Sequence, residues 1–256
     1  MALCDVHWFS ETLQKHVGTY VILPKTGKPP FPTYYLLHGL SDDYTGWVRR
    51  SRIESYLKEV PLMVVMPDGF RGFYTDNADG PAYGQYIGEE LVAFVERNFP
   101  AKRSRSGRCI GGLSMGGYGA LRLALENPDR YVSANSHSGA LLYGARNGVR
   151  ANSPLTPTEQ RHIFGPKPAG SAHDLLALAK EARKAKALPK LQIDCGTEDQ
   201  LLGDNRAVHA ELQRLGIPHD YREPPGAHDW DYWDGHVKAA LAFHAKALRM
   251  KSPLWG

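Results

Sequence analysis

One serine in this chain lies in a sequence pattern that supports nucleophilic chemistry. Residues 112–116 read Gly-Leu-Ser-Met-Gly, the G-x-S-x-G pattern of a sharp strand-to-helix turn that exposes a serine at the bend. The two glycines let strand and helix pass closely, since neither carries a Cβ. A short apolar strand at Cys109-Ile110 precedes Ser114, and a helix that stops near Asn127-Pro128 follows it. The pattern alone also fits an inert glycine-rich turn, so the prediction of a nucleophile depends on a base and an acid elsewhere.

A nucleophilic serine requires a histidine within hydrogen-bond reach and an acid that orients the imidazole. In α/β-hydrolases these residues follow the order serine, acid, histidine, each on a loop at the carboxyl end of a strand. Asp199 lies just past a predicted strand, on the side of the sheet where the serine is expected. Asp194 lies inside that strand, and Glu198 and Asp204 have weaker positional claims. We therefore predict that Asp199 is the acid; the alternative for each carboxylate is a solvated loop position or a helix cap.

Position in the fold selects one histidine from eleven. His228 lies in the loop 224–230, between the last predicted strand and the last predicted helix, where Gly226 frees the backbone. His219 begins a strand at its amino end, which is the wrong side of the sheet, and His38 precedes the serine and is expected to brace a loop. Three further histidines lie within predicted helices: His209, His236 and His244. His228 is therefore the predicted base.

Two backbone amides must stabilise the oxyanion that forms when a serine attacks a carbonyl group. Met115, which follows the nucleophile, is predicted to provide one of them. The loop after the predicted strand 33–37 is predicted to provide the other, through the amide of Leu40. Aromatic residues are candidates for an acyl or alcohol pocket, although aromatics at such spacing are also typical of a core: Trp47, Phe73 and Tyr74, with Phe70 and Tyr83.

The predicted elements place these loops along one edge of a mostly parallel sheet. Residues 6–23 form two antiparallel strands, and buried strands then alternate with helices to the end of the chain. This alternation predicts an α/β protein with the α/β-hydrolase fold, in which a twisted sheet carries helices on both faces. The length of 256 residues fits a single domain. Residues 144–170 have the weakest pattern and are predicted to form either a small cap on the substrate side or a long surface loop.

Composition argues against several classes of partner. A formal net charge of +4 is small for this length and does not indicate a nucleic-acid surface. No apolar stretch approaches the ~20 residues that cross a bilayer, so no membrane association is predicted. The three cysteines, Cys4, Cys109 and Cys195, are widely spaced and are expected to be reduced thiols. Because the N-terminus has no signal-peptide pattern, we predict a cytoplasmic protein.

Five sequence blocks, in order along almost the whole chain, resemble the esterase D superfamily, and within it the tributyrin-esterase branch of bacterial carboxylesterases. The blocks are Leu36–Asp43, Val65–Gly69, Gly111–Leu121, Asp194–Asp199 and Gly226–Trp230. Together they are far more specific than the serine pattern alone.

The resemblance implies a serine carboxylesterase with an α/β-hydrolase fold. Such an enzyme hydrolyses short-chain acyl esters through an acyl-enzyme intermediate, without a cofactor, and we predict no metal site. The expected partner is a small-molecule ester, and family members often self-associate, which indicates a homo-oligomer. The resemblance maps the triad and the oxyanion donors onto residues already selected: Ser114, Asp199 and His228, with Leu40 and Met115.

Several alternatives stay open at this point. The superfamily includes S-formylglutathione hydrolases, which are thioesterases, but the cysteine that they carry after the oxyanion glycine is missing from residues 39–47. It also includes acetyl and feruloyl esterases that act on carbohydrate esters. Acyl transfer to an acceptor other than water is not distinguished from hydrolysis by these residues. A catalytically silent binding scaffold is the alternative outside the enzymes, and it is disfavoured because every predicted triad and oxyanion element is present.

Overall fold

Eight strands form one sheet within the described residues, 1–148, 153–185 and 187–250, of a computed structural model. The strands are β1 (Ala2–Ser10), β2 (Lys15–Leu23), β3 (Thr33–Leu37), β4 (Met63–Pro67), β5 (Arg108–Leu113), β6 (Ser133–His137), β7 (Lys190–Asp194) and β8 (His219–Arg222). Their order in the sheet is β1-β2-β4-β3-β5-β6-β7-β8. β2 pairs antiparallel with β1 and β4, and every other pair is parallel. The predicted mostly parallel sheet with antiparallel N-terminal strands is therefore confirmed.

Helices connect the strands and cover both faces of the sheet. They are α1 (Gly46–Arg50), α2 (Ile53–Leu57), α3 (Tyr83–Gln85), α4 (Leu91–Asn98), α5 (Met115–Glu126), α6 (Pro157–Phe164), α7 (Leu175–Ala182), α8 (Leu202–Arg214) and α9 (Trp230–Ala247). A π-helical turn at Tyr86–Glu90 joins α3 to α4, and a 3₁₀ turn at Arg105–Gly107 precedes β5. Among the helices of the described residues, none combines the length and the apolar character needed to span a bilayer.

Alternate residues of the central strands point to opposite faces and create two hydrophobic cores. In β3, Tyr35 and Leu37 join the core covered by α4, α5, α7 and α8. Tyr34 and Leu36 join the core covered by α1, α2 and α9. Every residue of β3 and of β4 is buried, which explains why these parallel strands have continuous apolar sequences.

The helix α6 lies in the segment 144–170, for which the sequence predicts a cap or a loop. Thr156 and Glu159 form a reciprocal capping box at its start, and Pro157 is its first residue. Residues 149–152 of this segment lie outside the described residues. The amides of Ala78 and Asp79 donate to carbonyl groups at the end of α6, at 3.0 and 2.9 Å, so this helix is joined to the loop after β4.

Candidate active site

Ser114 occupies the turn between β5 and α5, with φ 52° and ψ −114°. A positive φ is strained for a residue with a side chain and costs on the order of 1–3 kcal/mol. Two hydrogen bonds from outside α5 hold this backbone in place. The Ser114 amide donates to the His137 carbonyl at 2.9 Å, and the Ala140 amide donates to the Ser114 carbonyl at 3.0 Å. The end of β6 and the loop after it therefore support the serine.

Two glycines allow the strand β3 to pass directly beside this turn. A Cβ on Gly116 would lie 2.5 Å from the Leu37 carbonyl oxygen, and a Cβ on Gly112 would lie 2.6 Å from the same atom. Side chains at either position would push β3 away from the turn. The glycines of the G-x-S-x-G pattern thus bring the loop after β3 next to Ser114.

A continuous chain of hydrogen bonds links Ser114 to a buried carboxylate. His228 Nε2 lies 3.0 Å from Ser114 Oγ, and His228 Nδ1 lies 2.8 Å from Asp199 Oδ2. The Leu201 amide donates to the other oxygen, Asp199 Oδ1, at 2.7 Å. With Nδ1–H donated to the carboxylate, the Nε2 lone pair faces the serine hydroxyl. The structure therefore brings together the serine, the histidine and the acid that the sequence selects.

The loops that carry Asp199 and His228 are held against each other by their backbones. The Glu198 amide donates to the Gly226 carbonyl at 3.0 Å. A Cβ on Gly196 would lie 2.0 Å from that same carbonyl oxygen, so only glycine permits this approach. The distance between the acid and the histidine is consequently set by packed backbone rather than by two independent loops.

Asp199 is ionised at neutral pH because of its hydrogen bonds. Its burial by itself raises the pKa of the carboxyl group. The hydrogen bond from His228, the attraction between the two groups and the hydrogen bond from the Leu201 amide outweigh this effect and lower the pKa below its ordinary value. Asp199 is therefore an acceptor that holds the imidazole in a single tautomer and orientation.

The other carboxylates considered from the sequence have different surroundings. Asp194 is buried at the end of β7, with its carboxylate 2.7 Å from His137 Nδ1. Glu198 is exposed and accepts a hydrogen bond from the Gly226 amide. Asp204 is buried in the first turn of α8. Asp199 is thus the carboxylate that lies in hydrogen-bond contact with His228.

The histidines set aside from the sequence also lie elsewhere in the fold. His209 Nδ1 and His219 Nε2 are 2.8 Å apart, so these two residues pair with each other. His236 packs against the Tyr232 ring, with 4.1 Å between ring centroids. His244 is fully buried in α9.

Leu40 and Met115 both lie at the cavity that contains Ser114. Met115 is the first residue of α5, where amides have no carbonyl partner within the helix and the helix dipole is positive. Leu40 follows Gly39 in the loop after β3, and both Leu40 and Met115 line the cavity. The two residues predicted as oxyanion donors therefore lie on one cavity with Ser114.

His38 and Tyr74 hold the Leu40 loop in position. His38 is buried, and its Nδ1–H donates to the Gly39 carbonyl at 2.7 Å while its Nε2 accepts from the Gly69 amide at 2.9 Å. The Tyr74 hydroxyl donates to the His38 carbonyl at 3.0 Å. His38 therefore braces a loop, as expected from its position before the serine in the chain.

A cavity of about 360 Å³ opens at Ser114. Phe73 is the predicted pocket aromatic that lines it. Phe70 and Tyr83 line a neighbouring cleft, and the structure places Trp47 and Tyr74 in the core, which corrects the sequence-based assignment of these two. Trp47 is buried on the α1 and α9 face of the sheet, where its Nε1 donates to the Leu37 carbonyl at 3.1 Å. Tyr74 is fully buried against His38, as described above.

Half of the residues that line the cavity were not predicted from the sequence. Beyond Leu40, Phe73, Ser114, Met115 and His228, the lining consists of Ala140, Tyr143, Pro154, Gln200 and Leu201. Most of these follow β6 and β7 by a few residues. The available signal was topological, since loops at the carboxyl ends of parallel strands meet at one edge of the sheet.

A larger cleft of about 710 Å³ shares Leu40 with this cavity. Its lining is rich in carboxylates, namely Asp42, Asp43, Asp68, Asp79 and Glu159. Arg71 also lines the cleft and pairs with Glu159 at 2.8 Å. The cleft therefore carries an excess of negative charge beside the wall that Leu40 forms. Across the described ranges, no group of three or more His, Cys, Asp or Glu residues is arranged to hold a metal ion.

The fold and the chain from serine to histidine to carboxylate define the class of protein as an α/β-hydrolase. The Esterase family model, whose description reads "Putative esterase", matches residues 10–244. The chain belongs to this family.

Individual relatives agree with this membership. The chain is 32% identical to an acetyl esterase of Caldicellulosiruptor saccharolyticus over 96% of this chain and 99% of that protein. Two Staphylococcus aureus structures are similar in fold and sequence. They are substrate-bound FphF, a fluorophosphonate-binding serine hydrolase (TM-score 0.86, 32% identity), and the S-formylglutathione hydrolase FrmB (TM-score 0.83, 33% identity). Each comparison covers 95% of this chain and 98% of the other. The protein is a serine esterase, a carboxylic ester hydrolase.

Proposed function

We propose that Ser114, His228 and Asp199 are the catalytic triad of this esterase and that its substrates are short-chain acyl esters of small alcohols. The observation that carries the proposal is the unbroken chain from Ser114 Oγ through His228 to Asp199, with contacts of 3.0 and 2.8 Å. These are the distances that nucleophile activation requires.

In the acylation step, Ser114 Oγ attacks the ester carbonyl carbon while its proton moves to His228 Nε2. The carbonyl oxygen becomes an oxyanion, which the amides of Leu40 and Met115 stabilise by about 3–4 kcal/mol per donor. Asp199 stabilises the imidazolium that has formed. The bond to the alcohol oxygen then breaks, His228 returns the proton to that oxygen, and the alcohol leaves an acyl group on Ser114.

In the deacylation step, water replaces the alcohol. His228 Nε2 takes a proton from the water as its oxygen attacks the acyl carbon, and the same two amides stabilise the second oxyanion. Breakdown of this intermediate returns the proton to Ser114 Oγ and releases the carboxylic acid. The enzyme is regenerated without a cofactor.

The size and lining of the cavity support a short acyl group. A volume of about 360 Å³ lies near the lower end for ligand pockets. Phe73 is stacked on Tyr143, with 5.2 Å between ring centroids, and is in edge contact with Phe164. Packed aromatic rings make this wall stiff. The acetyl esterase relative is consistent with this substrate class.

The segment 144–170 is proposed to act as a small cap within a single domain. Pro154 lines the cavity beside Ser114. Glu159 in α6 accepts from Arg71 Nε of the loop after β4 at 2.8 Å, which ties this segment across the cleft.

The three cysteines are unpaired, as thiols are in a reducing compartment. A cytoplasmic location and a homo-oligomer stay predictions.

A thioesterase acting on S-formylglutathione is the second candidate, because the S-formylglutathione hydrolase FrmB is 33% identical. The charge of the cleft favours the ester reading. Glutathione carries more carboxylate than ammonium charge, and a cleft with five carboxylates and one paired arginine repels an anionic leaving group that extends past Leu40. Neutral alcohols meet no such repulsion.

The test compares kcat/KM for p-nitrophenyl esters from acetate to octanoate with kcat/KM for S-formylglutathione. We expect the highest values from acetate to butyrate and a fall at longer chains. Tyr143→Ala, which enlarges the cavity, is expected to extend the range to longer acyl groups. Phe9→Ala, at an exposed aromatic on the edge strand, serves as the control and is expected to leave the profile unchanged. A thioester preferred over every ester would overturn the proposal.

A further inference from the structure

A chain of buried polar side chains runs along β6 on the face of the sheet that α9 covers and ends at β7. Ser133 Oγ lies 2.8 Å from His244 Nδ1, and His244 Nε2 lies 2.8 Å from Asn135 Oδ1. Asn135 Nδ2 lies 3.0 Å from His137 Nε2, and His137 Nδ1 lies 2.7 Å from Asp194 Oδ2. All five residues are nearly inaccessible to solvent. The proposed catalytic steps use none of these side chains.

Along this chain of hydrogen bonds, each residue donates to the next one in the direction of Asp194. Burial and the neighbouring His137 lower the pKa of His244 to about 3, so its imidazole is neutral. It accepts from the Ser133 hydroxyl and donates to Asn135 Oδ1. The Asn135 amide then donates to His137 Nε2, which leaves His137 Nδ1–H to donate to Asp194. A carboxylate, which only accepts hydrogen bonds, is the natural end of such a chain.

Asp194 also receives a hydrogen bond from a different element. The Tyr232 hydroxyl in α9 donates to Asp194 Oδ1 at 2.8 Å. The Tyr232 ring backs the loop that carries His228, since a Cβ on Gly226 would lie 2.5 Å from Tyr232 Cδ2. Asp194 therefore reaches the histidine loop through one side chain.

Other contacts of Asp194 reach the turn that carries Ser114 and the loop that carries Asp199. His137, its imidazole partner, is the residue whose carbonyl accepts from the Ser114 amide. The Asp194 carbonyl accepts from the Ser138 amide at 2.8 Å, which fixes the start of the loop after β6. Asp194 is also the last residue of β7, from which the loop to Asp199 departs.

We propose that Asp194 is a positioning residue for catalysis: its buried carboxylate links the strand end that supports Ser114, the strand that leads to Asp199 and the helix that backs the His228 loop. The proposal rests on the triad assigned above. A buried charge that loses a partner is strongly destabilising. Movement of β6 or α9 away from β7 would remove a partner from Asp194, so the carboxylate keeps these three elements in place. Misplacement of reacting groups by about 1 Å costs on the order of 100-fold in rate.

The test measures single-turnover acylation by p-nitrophenyl acetate, per active site, for matched variants. Asp194→Asn keeps the size of the side chain but replaces one accepting oxygen with an NH₂ group. That group either faces His137 Nδ1–H or turns the Tyr232 hydroxyl into an acceptor and removes the partner of its O–H. Tyr232→Phe keeps the ring and removes only one hydrogen bond. Ser133→Ala breaks the same buried chain at its far end, and is the control for a purely structural effect. Chemical denaturation gives the stability of each variant.

Asp194→Asn is expected to lower the acylation rate constant roughly 10- to 100-fold, with the substrate dissociation constant unchanged. Tyr232→Phe is expected to lower it less. Ser133→Ala is expected to lose stability while its acylation rate constant stays within about twofold of the parent. If Asp194→Asn does not fold, the acylation rate constant of Tyr232→Phe tests the proposal alone.

Unchanged acylation in both folded variants, or an equal loss in Ser133→Ala, would overturn the proposal. Ser114→Ala is measured in the same series to separate this proposal from the triad itself. Turnover retained by Ser114→Ala would overturn the triad assignment and the positioning role with it. Loss in Ser114→Ala together with unchanged Asp194→Asn and Tyr232→Phe would overturn the positioning role alone.

Discussion

Replacement of Asp199 by asparagine tests the geometry of the triad at a single atom. In the native protein Asp199 Oδ1 accepts from the Leu201 amide and Oδ2 accepts from His228 Nδ1–H. An asparagine keeps its one carbonyl oxygen on the buried Leu201 amide, because turning it would set two N–H groups against each other. Its NH₂ group then faces His228 Nδ1. The imidazole must accept at Nδ1 and carry its proton on Nε2, where no lone pair is left for the Ser114 proton.

The expected magnitude follows from this change of tautomer. Loss of the acid partner in a serine triad lowers kcat by about 10⁴-fold, which corresponds to about 5.4 kcal/mol in the activation free energy. The fold is expected to persist, since the side-chain oxygen at position 199 still accepts the hydrogen bond from the Leu201 amide. The assay is the pre-steady-state burst of p-nitrophenol from p-nitrophenyl acetate, with the unfolding midpoint measured alongside.

Glu198→Gln is the matched control for this experiment. Glu198 is the neighbouring carboxylate and is exposed, and its side-chain oxygen accepts from the Gly226 amide, a role that a glutamine oxygen can fill. We expect its burst rate to stay within about threefold of the parent, as for exposed pairs of small energetic value. A burst rate of Asp199→Asn within tenfold of the parent's, or an equal loss of burst rate in Glu198→Gln, would refute the tautomer argument.

Three further predictions follow from contacts outside the triad. His38→Ala leaves the buried Gly69 amide without its partner and removes one of the two donors to the Gly39 carbonyl, which keeps the Asp42 amide at 3.2 Å; at about 1–3 kcal/mol for one unpaired buried group the free energy of unfolding should fall by about that amount in urea titrations, and an unchanged midpoint would contradict this. Because the pKa of His244 is lowered from an ordinary 6.5 to about 3, the unfolded state binds a proton that the native state does not. The contribution of neutral His244 to the free energy of unfolding is thus complete above pH 6.5 and is lost as pH falls toward 3, by about 1.4 kcal/mol per pH unit. His244→Asn should flatten this dependence of the free energy of unfolding on pH, whereas the exposed control His16→Asn should not. For S-formylglutathione, kcat/KM should rise with ionic strength as the acidic cleft is screened, while that for a neutral ester stays level; a fall with salt would contradict the repulsion.

The residues of the proposed triad could be selected from the sequence because each follows the end of a strand. Ser114 follows β5, Asp199 follows β7 and His228 follows β8, and the carboxyl ends of parallel strands meet at one edge. Chain order and turn residues were sufficient to select them. No side-chain packing had to be known.

The pocket could not be predicted in the same way. Whether an aromatic residue lines a cavity or a core depends on the face of the sheet that its element covers. Phe73 lies on the cavity, whereas Trp47 lies in the core on the α9 face and Tyr74 is buried beneath the Leu40 loop. Their sequence spacing carries no information about that choice.

The buried chain that ends at Asp194 depends on strand register. His137 and Asp194 are direct neighbours in the pairing of β6 with β7, and they are separated by many residues in sequence. From the sequence, Asp194 is simply a carboxylate inside a strand. Its role is visible only once the register and the position of α9 are known.

The most direct test of the account is the location of the acyl group on the enzyme. Rapid acid quenching after mixing with p-nitrophenyl acetate, followed by peptide mass spectrometry, should find one acetyl group on the peptide that contains Ser114. Ser114→Ala should show neither the adduct nor the burst, with its unfolding midpoint close to that of the parent. An acetyl group on another residue, or turnover that persists in Ser114→Ala, would contradict the assignment of Ser114 as the nucleophile.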